Sequence, residues 1–166
     1  AVLAAMKTGV SEKNIFIPEG WAVADIAAHL EEQEFFSKEE FTAAALPYEG
    51  YLFPDTYRVF EDATPQDIVA LMRSNFEKKT ASLARNQSPY SFSDAVIMAS
   101  LLEREAPSLG DRKLVAGILW KRLSAGIALQ VDATVLYAKG EHAKKISKQD
   151  TQIDSPYNTY KYPGLP

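Results

Sequence analysis

Ser93–Pro107, SDAVIMASLLEREAP, is the stretch whose reading decides this chain. Its spacing predicts a helix, with Ser93 placed to cap the start, Asp94 suited to the positive end of the helix dipole, and Pro107 as the stop. At about 100° per residue, Ala95, Ile97, Met98, Leu101 and Leu102 fill one arc. Glu105 falls near the middle of that arc, whereas Glu103 lands on the opposite side, where a solvated carboxylate belongs. A carboxylate centred on an apolar face is costly to ionise, so Glu105 is expected to have a raised pKa and to hold a proton near neutrality. A general acid needs that property. The same pattern also fits a last turn that swings Glu105 out to water, or an arginine that pairs with it.

Composition narrows the classes around that helix. The chain has 166 residues, 46% hydrophobic and 24% charged, enough for a core and ordinary for a globular protein. Its net charge of −4 gives no electrostatic footprint for nucleic acid, and the small basic cluster Lys144, Lys145 and Lys148 reads as a solvated face. The absence of cysteine excludes disulfides, thiolate metal sites and a cysteine nucleophile. With only His29 and His142, a histidine-rich metal site is excluded too, and no metal is expected. No apolar run reaches the roughly 18 residues a membrane helix needs. The opening AVLAAMKTG resembles a helix tail and the chain stops at GLP, so it reads as a fragment truncated at both ends.

In order, Ala1–Lys7 with Gly9 reads as the last turns of a helix with a glycine C-cap. Asn14–Ile17 is a strand candidate before the turn Pro18-Glu19-Gly20. Ala22–Phe35 is an amphipathic helix on Val23, Ile26, Ala27 and Leu30, with His29 off the stripe at the surface. Ser37 to Glu40 is a capping box opening a short helix through Ala45. Tyr48–Phe60 breaks the rhythm with aromatics, Gly50 and Pro54, and reads as extended or looped. Thr64-Pro65 starts a helix to about Ala84, with Ile68, Leu71, Met72, Phe76 and Leu83 inward. After a loop at Asn86–Tyr90 and the central helix, another helix runs from about Asp111 to Ala125 on Leu114, Val115, Ile118, Leu119 and Leu123, closed by Gly126. An apolar run to Tyr137 turns at Gly140, and 141–153 reads as a polar loop. Helices outnumber strands, so the fold class is α-rich α+β.

Three stretches carry polar residues that periodicity does not explain: Glu49–Asp55, Gln130–Thr134 and Tyr157–Tyr160. Tyrosines can stack on sugar rings, while Gln, Asn and carboxylates can hydrogen-bond hydroxyls. Around a protonated glutamate they would make a carbohydrate-cleaving cleft. Each also fits an ordinary turn, with Asn158 in an Asx-turn, Asp55 and Asp132 capping helices, and tyrosines covering a core edge. No Gly-rich phosphate loop, G-x-S-x-G elbow or H-E-x-x-H motif occurs. Composition permits a lysine that binds pyridoxal phosphate, but no phosphate-cradling segment supports one.

ASLLEREAP, LQVDATVLYAKG, EGYLFPDTY and DSPYNTYKYPGLP together resemble the YceG-like family of endolytic murein transglycosylases, known as MltG. The resemblance covers the chain from the turn at Ile17–Gly20 to Pro166. It implies one catalytic glutamate, the second of the E-x-E pair, which here is Glu105. It implies non-hydrolytic cleavage of the MurNAc–GlcNAc β-1,4 bond within peptidoglycan strands, leaving a 1,6-anhydro-MurNAc end, with no cofactor. A hydrolytic glycosidase needs two carboxylates, whereas this reaction can use one as acid and then base. Gln130, Tyr157, Asn158 and Tyr160 are expected to orient the sugar, and Glu49 and Asp132 to give electrostatic support, Asp132 less than Glu49 because it can simply cap a helix.

Further expectations follow from the resemblance. Residues 1–9 would be the remnant of a small LysM-like region, and 10–166 a catalytic domain lacking its C-terminal part. The expected site of action is the extracytoplasmic face of the bacterial inner membrane, reached through an N-terminal anchor that this stretch lacks. Peptidoglycan glycan strands are the expected partner, with peptidoglycan synthases as further partners and no nucleic acid. Some relatives carry the label aminodeoxychorismate lyase, which the missing pyridoxal phosphate motif disfavours. A non-catalytic glycan-binding or scaffolding module of the cell-wall machinery is the alternative from a different class.

Overall fold

The computed structural model describes residues 11–83, 89–140 and 145–166. The expected helix tail at Ala1–Lys7 with Gly9, most of the loop at Asn86–Tyr90, and the start of the 141–153 stretch lie outside these residues. The chain divides into two compact units, Ala1–Ala84 and Arg85–Pro166. Six α-helices and one two-stranded sheet are described, which is the α-rich α+β class expected.

The first unit is a hairpin-like sheet covered by helices. Strands β1 (Glu12–Phe16) and β2 (Thr56–Phe60) pair antiparallel, with Ile15 opposite Tyr57 and Lys13 opposite Val59. Alternation turns Ile15, Tyr57 and Val59 inward and leaves Asn14 and Arg58, opposite each other, to solvent. Between the strands run α1 (Val23–Glu32) and α2 (Lys38–Ala45); α3 (Pro65–Thr80) follows β2. The expected capping box of Ser37 with Glu40 is present, and the expected helix start at Thr64-Pro65 is reinforced by a second box, Thr64 with Asp67. Val23, Ile26 and Leu30 of α1, Phe41 of α2 and Ile68 and Met72 of α3 meet the inner face of the sheet in one apolar cluster. Tyr48–Phe60 divides into a 3₁₀ turn (Leu46–Tyr48), a loop and β2. Helix α3 ends four residues short of the expected Ala84. Leu71 stays 43% exposed because the stripe through Ile68 and Met72 already fills the face that meets α2, and Leu83, beyond the helix end, is exposed.

The second unit is built from α4 (Phe92–Glu105), α5 (Leu109–Ser124) and α6 (Asp132–Lys139), with a 3₁₀ turn at Asp150–Gln152. The cap of α4 is Ser91, not Ser93. Ser91 Oγ accepts from Asp94 N–H at 3.0 Å, while Ser91 N–H donates to the Asp94 carboxylate at 2.9 Å, so the reciprocal pairing with an acid three residues on selects Ser91. Ala106 closes the helix in an extended conformation just before Pro107, which disfavours a helical residue in front of it. Met98 and Leu101 are buried and Leu102 half-buried against Leu119 of α5, Leu129 and Val131, whereas Ala95 is exposed. Helix α5 buries only Leu119 fully, and Leu114 and Ile118 of its expected stripe are exposed. The apolar run to Tyr137 is the helix α6, and Gly140 terminates it with a φ of 65° that an L side chain seldom adopts. No helix among the described residues is long and apolar enough to cross a membrane.

Candidate active site

The sequence centres the site on Glu105, the final residue of α4. The wheel places Glu105 on the same face as Met98, Leu101 and Leu102, and the structure agrees about that face. It corrects the expected burial. The helix stops at Glu105, so no further turn covers the side chain, and it is exposed. Among the described residues it has no hydrogen-bond or ion-pair partner, so no arginine holds it and its carboxyl is open to a ligand.

Its electrostatic neighbour is Tyr160. The Tyr160 hydroxyl donates a short hydrogen bond to Asp132 Oδ1, across from the first turn of α6. Partial burial, then the hydrogen bond and charge of Asp132, then the charge of Glu105 push the Tyr160 hydroxyl up to about 12, with Arg122 opposing them. One phenol therefore feels Glu105, Asp132 and Arg122 together. Asp132 does not cap α6: the N-cap is Val131, and the carboxylate sits one residue inside the helix, paired to Tyr160.

The segment linking α5 to α6 is stitched to the segment following the 3₁₀ turn. Gln130 N–H donates to the Thr159 carbonyl at 3.0 Å, and Val131 N–H donates to Thr159 Oγ1 at 3.0 Å. The Thr159 hydroxyl lies 2.9 Å from that of Thr134, which in turn donates to the Val131 carbonyl at 2.8 Å. Both threonines are buried, and no buried side-chain polar atom lacks a partner among the described residues. Burial without partners would cost each group about 1–3 kcal/mol, so this closed set of bonds fixes the two segments against each other.

Asn158 is the clearest departure from the expected set. It is fully buried, and its amide donates to the carbonyls of Thr151 at 3.0 Å and Ile153 at 2.7 Å while its Oδ1 accepts from Tyr160 N–H at 3.0 Å. With donors and acceptor engaged inside the protein, it holds the Tyr160 backbone and has no surface to offer a sugar. Gln130 and Tyr157 are exposed. Tyr157 stands edge-on to Tyr137 with ring centroids 4.9 Å apart, and the two are 42% and 41% exposed. Glu49 belongs to the first unit, where its carboxylate accepts from Val23 N–H at 3.2 and 3.1 Å at the start of α1. That position suits a negative charge and gives Glu49 a local structural role.

Sequence reasoning did not single out Arg122. From the last turn of α5 its guanidinium donates to the Ala128 carbonyl at 2.9 Å and to Gln130 Oε1 at 2.6 Å. An arginine in a last helical turn is ordinary, and nothing in its spacing tells that it reaches eight residues ahead. No group of acidic or histidine residues able to hold a metal occurs among the described residues.

Fold and site define an α-rich α+β protein with an open carboxyl at a helix end whose charge reaches the tyrosine of a tyrosine–aspartate pair, and with an arginine-held glutamine in the same unit. The chain belongs to the YceG-like family, whose profile matches residues 1–166. It is 41% identical over 122 residues to an endolytic murein transglycosylase of Bacillus subtilis, and 37% over 131 residues to one of Streptococcus pneumoniae. These alignments take in 72% and 70% of this chain but only 34% and 22% of the relatives, so the chain spans no more than about a third of either. A crystal structure of a yceG-like protein from Listeria monocytogenes superposes with a TM-score of 0.82 at 30% identity, over 99% of this chain and 65% of that one.

Proposed function

We propose that this chain carries the reaction centre of an endolytic peptidoglycan lytic transglycosylase, with Glu105 as the single acid and base. The observation that carries the reading is an open carboxyl at the end of α4, unpaired among the described residues, in the same electrostatic neighbourhood as Tyr160 and Asp132. The names of the similar proteins support the same class of substrate.

The chemistry balances with one carboxyl. A glycan strand lying over Glu105 excludes water, which disfavours a bare charge there. Glu105 then gives its proton to the glycosidic oxygen as the C1–O bond of MurNAc breaks. Positive charge develops at C1, and the Asp132 carboxylate offers compensating charge while its hydrogen bond with Tyr160 fixes its direction. The carboxylate left at Glu105 takes the proton from the sugar's own C6 hydroxyl as that oxygen attacks C1, closing the 1,6-anhydro ring. No water enters the balance, and Glu105 ends protonated as it began. Gln130 and Tyr160 orient the sugar and Tyr157 stacks on it. Asn158 acts indirectly by holding Tyr160, while Glu49 holds the start of α1 within the first unit.

Residues 10–166 are the catalytic region in this reading, and the 1–9 segment the end of a LysM-like region. In this reading the protein acts outside the cytoplasm, held at the inner membrane by an N-terminal anchor and working beside synthases. The test is digestion of purified sacculi by the full-length protein and by its Glu105→Gln form. Anhydro-ended muropeptides from the first alone support the reading. Equal yields from both sink the role of Glu105, and strand binding without product from either would favour the scaffolding module.

A further inference from the structure

We infer that Gln130, locked in orientation by Arg122, reads the 2-acetamido carbonyl of the glycan. The inference rests on the glycan-cleaving reading above and adds to it the group recognised and the residue that fixes the recogniser. A guanidinium has donors and no acceptor, so the amide edge facing it at 2.6 Å has to be the oxygen. Rotating the amide would set its NH₂ against a cation. Both amide hydrogens of Gln130 therefore point away from Arg122, and among the described residues they meet no acceptor. The side chain is exposed, so they face whatever binds.

The backbone beneath is equally committed. Gln130 has a φ of 57°, a left-handed conformation that side-chain-bearing residues seldom adopt. It is kept there by its N–H bond to Thr159 and by the Val131 bond to the buried Thr159 hydroxyl. Strain held this firmly at an exposed polar residue marks a position selected for what it presents. What it presents is a pair of donors of fixed polarity backed by a positive charge.

A hydroxyl can donate or accept, so such a pair barely distinguishes one sugar hydroxyl from another. The carbonyl of an N-acetyl group is the strong, acceptor-only oxygen repeated on every sugar of this strand. A de-N-acetylated sugar would instead bring an ammonium toward Arg122. The geometry thus favours N-acetylated over de-N-acetylated strands.

Binding tests this without turnover. The ¹⁵N-labelled chain in its Glu105→Gln form is titrated with an N-acetylated chito-oligosaccharide, its de-N-acetylated counterpart, and a MurNAc-containing oligosaccharide. The Gln130 side-chain NH₂ resonances should shift with the acetylated probes, and the acetylated chito-oligosaccharide should bind about tenfold more tightly than the de-N-acetylated one. Adding Gln130→Glu or Gln130→Gly should bring that ratio close to one. Glycine accepts the φ of 57° without strain, so that variant separates recognition from folding.

Unshifted Gln130 resonances, or a preference that survives both variants, overturn the inference. A shift with the MurNAc-containing probe alone moves the acceptor to the lactyl group and overturns the acetamido assignment. The underlying reading fails separately: no anhydro ends from wild-type digestion, with the tenfold preference intact, removes the reaction and leaves the recognition standing.

Discussion

The two units of this chain are stabilised by different means. Among the described residues of Ala1–Ala84, thirteen buried residues, Ile17 just past β1 and twelve from both strands and three helices, form one apolar cluster, with Phe41 and Leu30 fully inside. Among the described residues, the corresponding cluster in Arg85–Pro166 has five buried residues; Ala106, Val135 and Leu136 are buried outside it, and the fully buried polar side chains Asn158 and Thr159 have no counterpart in the first unit. Apolar burial is nondirectional and tolerates small shifts, whereas a buried hydrogen-bond network holds only one arrangement. The unit that carries the candidate site is the one built on directional bonds. The difference teaches that positioning Gln130, Asp132 and Tyr160 depends on threonine and asparagine side chains more than on core size.

Substitutions can break that contrast or sharpen it. The largest effect is expected from Glu105→Gln, which should lower formation of anhydro-ended muropeptides about 10²–10⁴-fold. Urea unfolding should show its stability changed by no more than about 0.5 kcal/mol, since the side chain is exposed and unpaired among the described residues. A large stability loss would put Glu105 among the structural residues. Phe41→Ala, by the same urea measurement, should cost about 3–5 kcal/mol through the cavity it leaves. Thr159→Val should cost less, about 1–3 kcal/mol, by stranding the Val131 N–H. It should also disperse the Gln130 and Tyr160 resonances, which Phe41→Ala need not do. If Thr159→Val is silent in both respects, the second unit does not depend on its buried hydrogen bonds.

Two pH titrations are expected to have smaller effects. Absorbance of tyrosinate should show Tyr160 ionising near 12, and Asp132→Asn should bring that midpoint down while burial keeps it above the ordinary value. Its raised pKa contributes stability that is fully present below the unfolded value near 10 and is lost as pH rises through about 12. Asp150 runs the other way. Its hydrogen bond from Lys139 Nζ at 2.6 Å, followed by those from Ser147, lowers its carboxyl to about 2. The tether from α6 to the 3₁₀ turn should hold above about 4 and loosen as pH falls toward 2, read by the carboxyl carbon shift of Asp150. A midpoint near 4 would mean that the Lys139 bond is not made in solution.

Much of the fold was legible in order along the chain, because helix caps and stripes are local signals. Ser37 with Glu40 and the α1 stripe follow from spacings of three or four residues, and the helix start at Thr64-Pro65 and the turn at Gly140 from single residue types. The misplaced cap at Ser93 and the exposed Leu71, Leu114 and Ile118 show the limit of such signals. A stripe tells which residues share a face, while only the neighbouring elements decide how much of that face is covered.

The site divides along the same line. By itself the sequence determined that Glu105 shares a helix face with Met98, Leu101 and Leu102, and that three polar stretches stand outside the secondary-structure rhythm. Those statements need only periodicity and residue chemistry. Tertiary structure alone decided that Glu105 is left open, that Asn158 faces inward, that Tyr160 meets Asp132, and that Arg122 turns the Gln130 amide outward. Each of these depends on which hydrogen-bonding groups converge in space from residues up to 28 positions apart, and no local spacing encodes that convergence.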